Sequence, residues 1–556
     1  MARSSRIASV LAICAVGGAG TMVVELAAVR LLAPWFGTSQ VVWANVIAVV
    51  LFALALGYAL GGRLSGSGRD LSRLGVVLLL AAVGTAWLPA LAAPVAGLFL
   101  PPDLALHEAA ATVLWGSLAA SLLLFLPAAT VLGCVSPLAV EAVAETSERG
   151  AGAAGGLVLA ASTLGSLAGV FATTLYLVPE LGLAGGYRVA AGLLLLAGFA
   201  AILLDRGRRR DLAAPGGLAL LLLAPALIVP PGEPRVPEGT RVLARVESPY
   251  QSIRIVERME GDRRMRFLQV NEGFDSYQSV WQERPGMLPL GYYYNDVLLP
   301  SAWARALGEK EDPGDPWRVL ILGLGGGTAL RVLEGGPVSD AGLDAVGVEL
   351  DRAVVDLARE FLDLAPEGTP GRLVLSGFDA RFALRVEPIA SARFDQIFLD
   401  CYANQVEIPP HLVTQEFVRM CEEHLAPGGW LQMNLGGFGF EDPVVRSIAR
   451  TTASTLGTPV LLLRVPFARN LTLLARPGAE LPVTGSGLAP VGGAVQALLE
   501  PRSVPGSWQL VSPDANGSEL LVDDHAPIER LQERSLVEAG RRLLDPSPWR
   551  GFGVGL

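Results

Sequence analysis

The chain has 556 residues, of which 51% are hydrophobic and 17% charged, and its mean hydropathy is +0.45; this excludes a disordered chain and is too apolar for an ordinary soluble enzyme of this length. The formal net charge is −10 and the one basic tract is Arg206 with Arg208, Arg209 and Arg210, so the footprint that a nucleic-acid backbone requires is absent. Cys14, Cys134, Cys401 and Cys421 are too few and too scattered for a disulfide framework or a CxxC metal site, and no metal is expected.

Apolar runs able to cross a hydrocarbon core of ~30 Å, about 20 residues each, fill the first 230 or so positions and then stop. Spans are predicted at 8–32, 41–62, 74–99, 110–133, 152–178 and 184–204, with a less clear seventh at 213–230. This gives a transmembrane domain of about seven helices over 1–232. The first run carries Glu25 and Arg30, lacks a small-residue cleavage site and leads into further spans, so it is read as retained rather than as a cleaved leader. Arg3, Arg6, Arg63, Arg69, Arg73, Arg149 and Arg206 to Arg210 fall on one side of these spans, while the opposite loops at 37–40 and 101–108 carry no Arg or Lys. A multi-pass protein of the inner (cell) membrane, N-terminus in the cytoplasm and lipid bilayer around its spans, is expected. A complete seventh span would carry everything after it outside the cell, whereas Pro215, Gly216, Gly217 and Pro225 equally suit a re-entrant or surface-lying segment. Glu25, an acid inside a span, is a candidate substrate-binding residue, with pairing to Arg30 or snorkelling as the alternative. The glycines at 17–20, 150–156 and 165–169 fit close helix packing.

After the Pro- and Gly-rich linker Pro230 to Gly239, the pattern becomes α/β. Segments 252–256 and 266–270 predict a small β-domain over 240–300. A Rossmann-like nucleoside-binding catalytic domain follows over 301–480, with strands at 318–322, 344–349, 372–375, 396–399, 430–434, 460–465 and 472–474 and helical patterns between most of them. Pro466 to Asn470 makes a short turn, so the parallel sheet ends in an antiparallel hairpin; 481–556 is a C-terminal extension.

The strongest local motif is Val319 to Thr328, a buried strand entering a glycine turn with Gly323, Gly325 and Gly327 and then a helix. Such a turn lets backbone approach a ligand, although the same residues also make a plain strand-to-helix turn. Glu349 ends the next strand about two dozen residues on, where an acid accepts bonds from both ribose hydroxyls of an adenosine-type ligand. Asp379, followed by Ala380, ends the third strand and is placed to accept from an adenine amino group. Asp400, followed by Cys401 and Tyr402, ends the fourth. Each acid alone is also a favoured helix cap.

In this order Tyr250-Gln251, Gly323-x-Gly-Gly-Gly, Val348-Glu-Leu-Asp, Asp379-Ala-Arg, Phe394 to Asp400 and Thr414-Gln-Glu-Phe417 resemble the spermidine synthase (aminopropyltransferase) family. The membrane half, with Glu25-Leu-Ala-Ala-Val-Arg30, Gly57 to Arg63, Pro137 and the Gly165, Ser166, Gly169, Pro179 series, resembles bacterial proteins in which such a domain is fused to a multi-span region. The resemblance covers most of the chain, and 317–435 is its specific part. It implies that Gln251, Glu349 and Asp379 hold the methylthioadenosine part of decarboxylated S-adenosylmethionine and that Asp400 is the acid beside the attacking amine. Two positions depart from the pattern. Gly326 stands where members usually carry an Asp, and Ala403 where they carry a second acid that binds the diamine, so putrescine is not assured as the substrate. Tyr293, Tyr294 and Asp296 fall where the family has a Tyr and an acid over the site, Tyr294 with the catalytic set and Tyr293 and Asp296 toward substrate, unless the tyrosines only pack an interface. Asp523-Asp524-His525-Ala-Pro527-Ile-Glu529 is typical of the fused proteins and reads most simply as a helix N-terminus with Pro and acids.

A sulfonium makes its neighbouring carbons electrophilic and leaves as a neutral thioether, so the protein has to hold the nucleoside, align a nucleophile and keep it unprotonated. Asp400 suits the last task, with Tyr402 to orient it. His107, His411, His424 and His525 lie in unrelated settings and receive no role. The leading expectation is a membrane-bound transferase that uses S-adenosylmethionine or its decarboxylated form as co-substrate and moves an aminopropyl-type group to a small-molecule or amphipathic amine, releasing methylthioadenosine. Its catalytic domain is then expected in the cytoplasm, where that co-substrate is made. An acceptor-free lyase or cyclase, a methyltransferase, and a transporter or sensor with a non-catalytic nucleoside domain stay open, as does a homodimer. The glycine turn and Glu349 serve methyl transfer equally well, and only the Tyr250-Gln251 sheet argues against it.

Overall fold

The computed structural model describes residues 3–37, 39–66, 70–100, 112–146, 150–205, 213–230, 238–271, 277–309, 315–336, 342–402, 408–485 and 487–544. They form two compact units, one of Met1–Val236, Val246–Ser252 and Asn271–Phe274 and the other of Pro237–Arg245, Ile253–Val270 and Asp275–Leu556. The expected loop at 101–108, Arg206 to Arg210 and Ala403 lie outside the described residues.

In the first unit five helices are long and apolar enough to cross a membrane: Ser4–Phe36, Gln40–Leu64, Asp70–Gly97, Thr112–Glu145 and Gly152–Leu204. The last has 53 residues, which at 1.5 Å per residue is about 80 Å and far exceeds one crossing. It breaks at Gly182, whose φ of 70° and ψ of 170° are not helical. The expected fifth and sixth spans are its two arms, joined end to end without a loop. Ala213–Ile228 has 16 residues, about 24 Å of helix, which is less than the hydrocarbon core, and it is not among the five.

Glycines set the closest contacts in this unit. A Cβ on Gly165 would lie 1.9 Å from the Ala15 carbonyl oxygen, one on Gly18 2.2 Å from that of Ser162, and one on Gly57 2.3 Å from that of Thr130. Backbone therefore meets backbone between Arg3–Phe36 and Ala151–Ala172, and between Gln40–Leu64 and Ser117–Gly133. The glycines at 150–156 behave otherwise: Gly150, Gly152, Gly155 and Gly156 face nothing within 4 Å, so close packing is not their role.

The small sheet has the order β1-β2-β3-β4, with β1 Arg241–Glu247, β2 Ser252–Glu260, β3 Arg263–Val270 and β4 Ser279–Gln282. The large sheet uses β5 Trp317–Leu322, β6 Leu343–Glu349, β7 Arg372–Ser376, β8 Phe394–Leu399, β9 Leu425–Gly436, β10 Val460–Arg464 and β11 Asn470–Ala475. After a two-stranded ribbon, β12 Val483–Thr484 and β13 Gly487–Leu488, β14 Trp508–Val511 completes it. The order is β14-β10-β11-β9-β8-β5-β6-β7. Strands β5 to β9 are parallel, and β11, β10 and β14 follow antiparallel.

Leu320, Ile397 and Leu431 are fully buried along the parallel strands, as a sheet covered on both faces demands. Phe417 and Val418 from Gln415–Glu423 and Val445 and Ile448 from Pro443–Leu456 join them in one core. Helix starts are set by short polar caps: Asp351, Thr414 and Asp442 each accept from an amide in the first turn that follows. The sheet order runs one way through β5, β6 and β7 and the other way through β8 and β9. Between β5 and β8 lies the switch point, outside whose carboxyl ends open α/β sheets bind ligands.

Candidate active site

Strand β5 runs into Gly323-Leu-Gly-Gly-Gly, and Gly323, Gly325 and Gly327 take φ of 85°, 54° and 82°, the left-handed region that a side chain disfavours. A Cβ on Gly323 would stand 2.3 Å from the Asp400 carbonyl oxygen, so this glycine lets the end of β5 and the end of β8 touch. Gly325 N donates to Glu349 Oε2 (2.8 Å) and Gly326 N to Ser279 Oγ (2.7 Å). The Thr328 hydroxyl exchanges bonds with both Val280 N and Val280 O at 2.9 Å. β4 therefore clamps the glycine loop. At Gly326, where the resemblance leads one to expect an acid, a Cβ would meet Leu362 Cδ1 at 2.5 Å and Ser279 Cβ at 2.9 Å. The departure is built into the packing.

Glu349 ends β6. Its Oε1 accepts from Asp351 N (3.0 Å) while Oε2 accepts from Gly325 N (2.8 Å). Burial pushes its carboxyl up, against the pull of these amides. Asp379 is a helix cap in geometry: Oδ1 accepts from Arg381 N (2.9 Å) and Phe382 N (3.0 Å), starting Ala380–Ala383, in which Ala380 is buried. Its Oδ2 meets His411 Nε2 at 3.0 Å. Burial raises this carboxyl, but the His411 bond and the two amides outweigh it and hold Asp379 below the usual range. His411 had no assigned role and is here the partner of a site acid.

The late acidic segment leads into a helix as read, beginning at Ile528 directly after Pro527 with Glu529 in its first turn, and Asp523 in addition accepts from both Arg381 nitrogens (2.7 and 2.6 Å) and from the Thr414 hydroxyl (2.7 Å). Arg381 is the third residue of the Asp379-Ala-Arg motif and Thr414 the first of Thr414-Gln-Glu-Phe417. Asp523 thus ties the two together.

Asp400 stands just past β8. Its Oδ2 accepts from the Tyr293 hydroxyl (3.0 Å), its Oδ1 from the Asn434 amide nitrogen (2.8 Å), and its own N–H donates to the Leu322 carbonyl (2.8 Å). Burial pushes its carboxyl up to about 6, against the downward pull of Asn434 and Tyr293. Ionised at neutral pH and ready to take a proton, it has the character of a base.

Other expected site residues are placed differently. Tyr402 does not orient Asp400: its hydroxyl donates to the Asn434 carbonyl (2.9 Å) and accepts from Gly436 N (2.6 Å), pinning β9. Tyr293 and Asn434 hold Asp400 instead. Tyr294 is buried against Tyr293, ring centroids 4.1 Å apart, and donates to the Gln278 carbonyl (2.6 Å), so it supports the Tyr293 ring and the strand that clamps the glycine loop. Asp296 is not aimed at substrate. It is 2% exposed, pairs with Arg502 (2.7 Å), itself 1% exposed, and accepts from the Thr472 hydroxyl. Gln251 is half-buried in a turn whose backbone is held by the Ser248 hydroxyl (3.0 Å), and it groups with the first unit. Glu25 is half-buried in Arg3–Phe36, and Arg30 of the same helix donates to the Ser248 carbonyl (2.7 Å). Among the described residues no group of three His, Cys, Asp or Glu side chains is placed to hold a metal ion.

Ser279, Asn434, His411 and Asp523 are the functional neighbours that sequence reasoning missed. Ser279 and the amide it holds are 47 residues apart, and Asn434 and Asp400 are 34 apart, so only strand order brings them together. Its place with Gln432 among the apolar residues of 430–435 was the one signal for Asn434.

No protein-family model matches the chain. A probable polyamine aminopropyl transferase of Bifidobacterium longum is 28% identical over 272 residues, 46% of this chain and 55% of that protein. A polyamine aminopropyltransferase of Nitrosomonas europaea is 31% identical over 222 residues, 39% of this chain and 58% of its own. The chain spans about half the length of the curated relatives it matches. Among solved structures, a probable spermidine synthase from Corynebacterium glutamicum aligns at a TM-score of 0.37 and 18% identity, over 52% of this chain and 98% of that one. Over the matched part the chain is similar in sequence to these aminopropyltransferases, and it carries a mixed α/β sheet following a set of long apolar helices.

Proposed function

We propose that this protein is a membrane-bound aminopropyltransferase: it binds S-adenosylmethionine or its decarboxylated form and transfers an aminopropyl-type group to an amine. The lone pair of the acceptor nitrogen attacks the methylene carbon beside the sulfonium and the C–S bond breaks. The electron pair stays on sulfur, which leaves as the neutral thioether methylthioadenosine, while a proton of the new ammonium passes to Asp400. The observation that carries this reading is the Asp400 carboxylate, held by Tyr293 and Asn434 at the switch point and in backbone contact with Gly323.

Each group then has a task. Glu349, tied to the glycine loop, accepts from the ribose hydroxyls. Asp379 and Ala380 face the adenine edge. Tyr293 holds Asp400 in place and covers the reacting carbon, and the Gly323 turn lets the sulfonium approach backbone rather than side chain. The acceptor is a small-molecule or amphipathic amine, and the catalytic half works on the cytoplasmic side, where its co-substrate is made.

Asp400→Asn keeps the shape of the side chain and removes the base. Loss of a positioned base costs on the order of 10²–10⁴-fold. The expected result is methylthioadenosine formation reduced by that factor with nucleoside binding intact by calorimetry; an unchanged rate refutes the assignment.

A further inference from the structure

We infer that Asn434, held in turn by Asn470, is the positioning residue that keeps Asp400 ionised and aimed into the crevice; the inference rests on the aminopropyl-transfer reading of this site. Asn434 lies on β9, next to β8, and is 5% exposed. Its amide nitrogen donates to Asp400 Oδ1 (2.8 Å), and its amide oxygen accepts from the Asn470 amide nitrogen (2.9 Å). A primary amide has two ends of opposite polarity, and only the NH2 end is attractive beside a carboxylate. By occupying the oxygen, Asn470 fixes which end of Asn434 meets Asp400.

The sheet topology supplies this lock. Asn470 opens β11 and pairs with Gly436 of β9 in antiparallel register, so the hairpin that ends the sheet brings a second amide to a base on the parallel part. The backbone beneath is fixed as well, because the Tyr402 hydroxyl spans the Asn434 carbonyl and the Gly436 N–H. Asn434 thus has no freedom to turn over without losing the Asn470 bond and setting oxygen against oxygen.

The charge balance gives this pair its importance. The titratable groups that face Asp400 are Tyr293 and Tyr294 from the turn 293–298 and Cys401 and Tyr402 from its own strand end, all neutral at physiological pH. Among the described residues no cation is bonded to it. Its ionised form is favoured by two neutral donors, and Asn434 is one of them.

The test is the pH dependence of methylthioadenosine formation by the whole protein in nanodiscs. Asn434→Asp is isosteric, keeps the Asn470 bond and replaces the donor by a second carboxylate. Its acidic limb of kcat/KM is expected to move up by about one pH unit or more. Asn470→Ala shifts the limb in the same direction by less, and carries the test alone if the first variant fails to fold. A merely structural role lowers the rate equally at every pH, and that result overturns the inference while leaving the transferase reading in place. If the unsubstituted protein makes no methylthioadenosine, the transferase reading is what fails. The carboxyl-stretch infrared band of Asp400, identified by its loss in Asp400→Asn, then decides: an upward-shifted midpoint in Asn434→Asp supports the inference and an unshifted one overturns it.

Discussion

Asp400 sits with its carboxyl raised to about 6 by burial, and that choice has a stability consequence with a definite sign. Because the folded-state value exceeds the ordinary one of 3.8, the folded protein favours the neutral acid. That contribution is complete below about pH 4 and is lost as pH rises through about 6. At pH 8 the ionised side chain costs the fold on the order of 1–3 kcal/mol after allowance for solvent screening. Asp400→Asn is therefore expected to raise the thermal unfolding temperature at pH 8 and to raise it far less at pH 4.5, while activity falls. A destabilised variant at pH 8 contradicts this. The Asp296–Arg502 pair is matched by its bonds. Both partners are almost fully buried and every bond is matched, with Arg502 also donating to the Arg464 and Leu498 carbonyls. Arg502→Leu leaves a buried carboxylate unpaired and is expected to cost about 3–5 kcal/mol in denaturant unfolding. The double variant Asp296→Leu with Arg502→Leu recovers most of it.

At the scale of elements, the glycine turn and the two strands it joins to the crevice were readable because their residues are local. Val319 to Leu322 is an unbroken apolar run and Ile397 to Leu399 a shorter one, and both strands form within two residues of where the pattern puts them. The antiparallel hairpin was equally legible from Pro466 to Asn470. β14 was not, because Trp508–Val511 is four residues long and pairs with β10 across a gap of over forty positions. Asp296 failed as a substrate residue for a similar reason: its partner Arg502 is 206 positions away, and nothing near it in the chain announces a buried ion pair. The acids at strand ends carried two meanings at once, cap and ligand, and Asp379 satisfies the first visibly in its bonds to Arg381 N and Phe382 N. Gly323 is the element-scale test. Its φ of 85° and the 2.3 Å approach of the Asp400 carbonyl to any Cβ require that Gly323→Ala push β5 and β8 apart at the switch point. About 2–4 kcal/mol of destabilisation is expected, from strain and displacement together. Nucleoside affinity by calorimetry should fall with it, and unaltered affinity would show that the turn does not line the ligand.

For the whole molecule, composition alone separates two solvents, and the apolar half resolves into five long helices. Spacing could not reveal that the fifth and sixth expected spans are one continuous element. A glycine that breaks a helix at φ 70° looks in sequence like any of the many glycines that pack helices together. Topology reporters fused after Leu64, Gly97 and Leu204 are expected to alternate only if Gly182 turns the chain back. The central claim, however, lies in the second unit: that the crevice beside Asp400 takes a nucleoside and that Asp400 serves there as a base. It is tested most directly by chromatography of the products formed by the purified protein in nanodiscs, with S-adenosylmethionine and its decarboxylated form offered separately, with and without an added amine. The account predicts methylthioadenosine, formed in proportion to the amine and reduced on the order of 10²–10⁴-fold in Asp400→Asn. S-adenosylhomocysteine in its place would contradict it by showing that the methyl group is the one transferred.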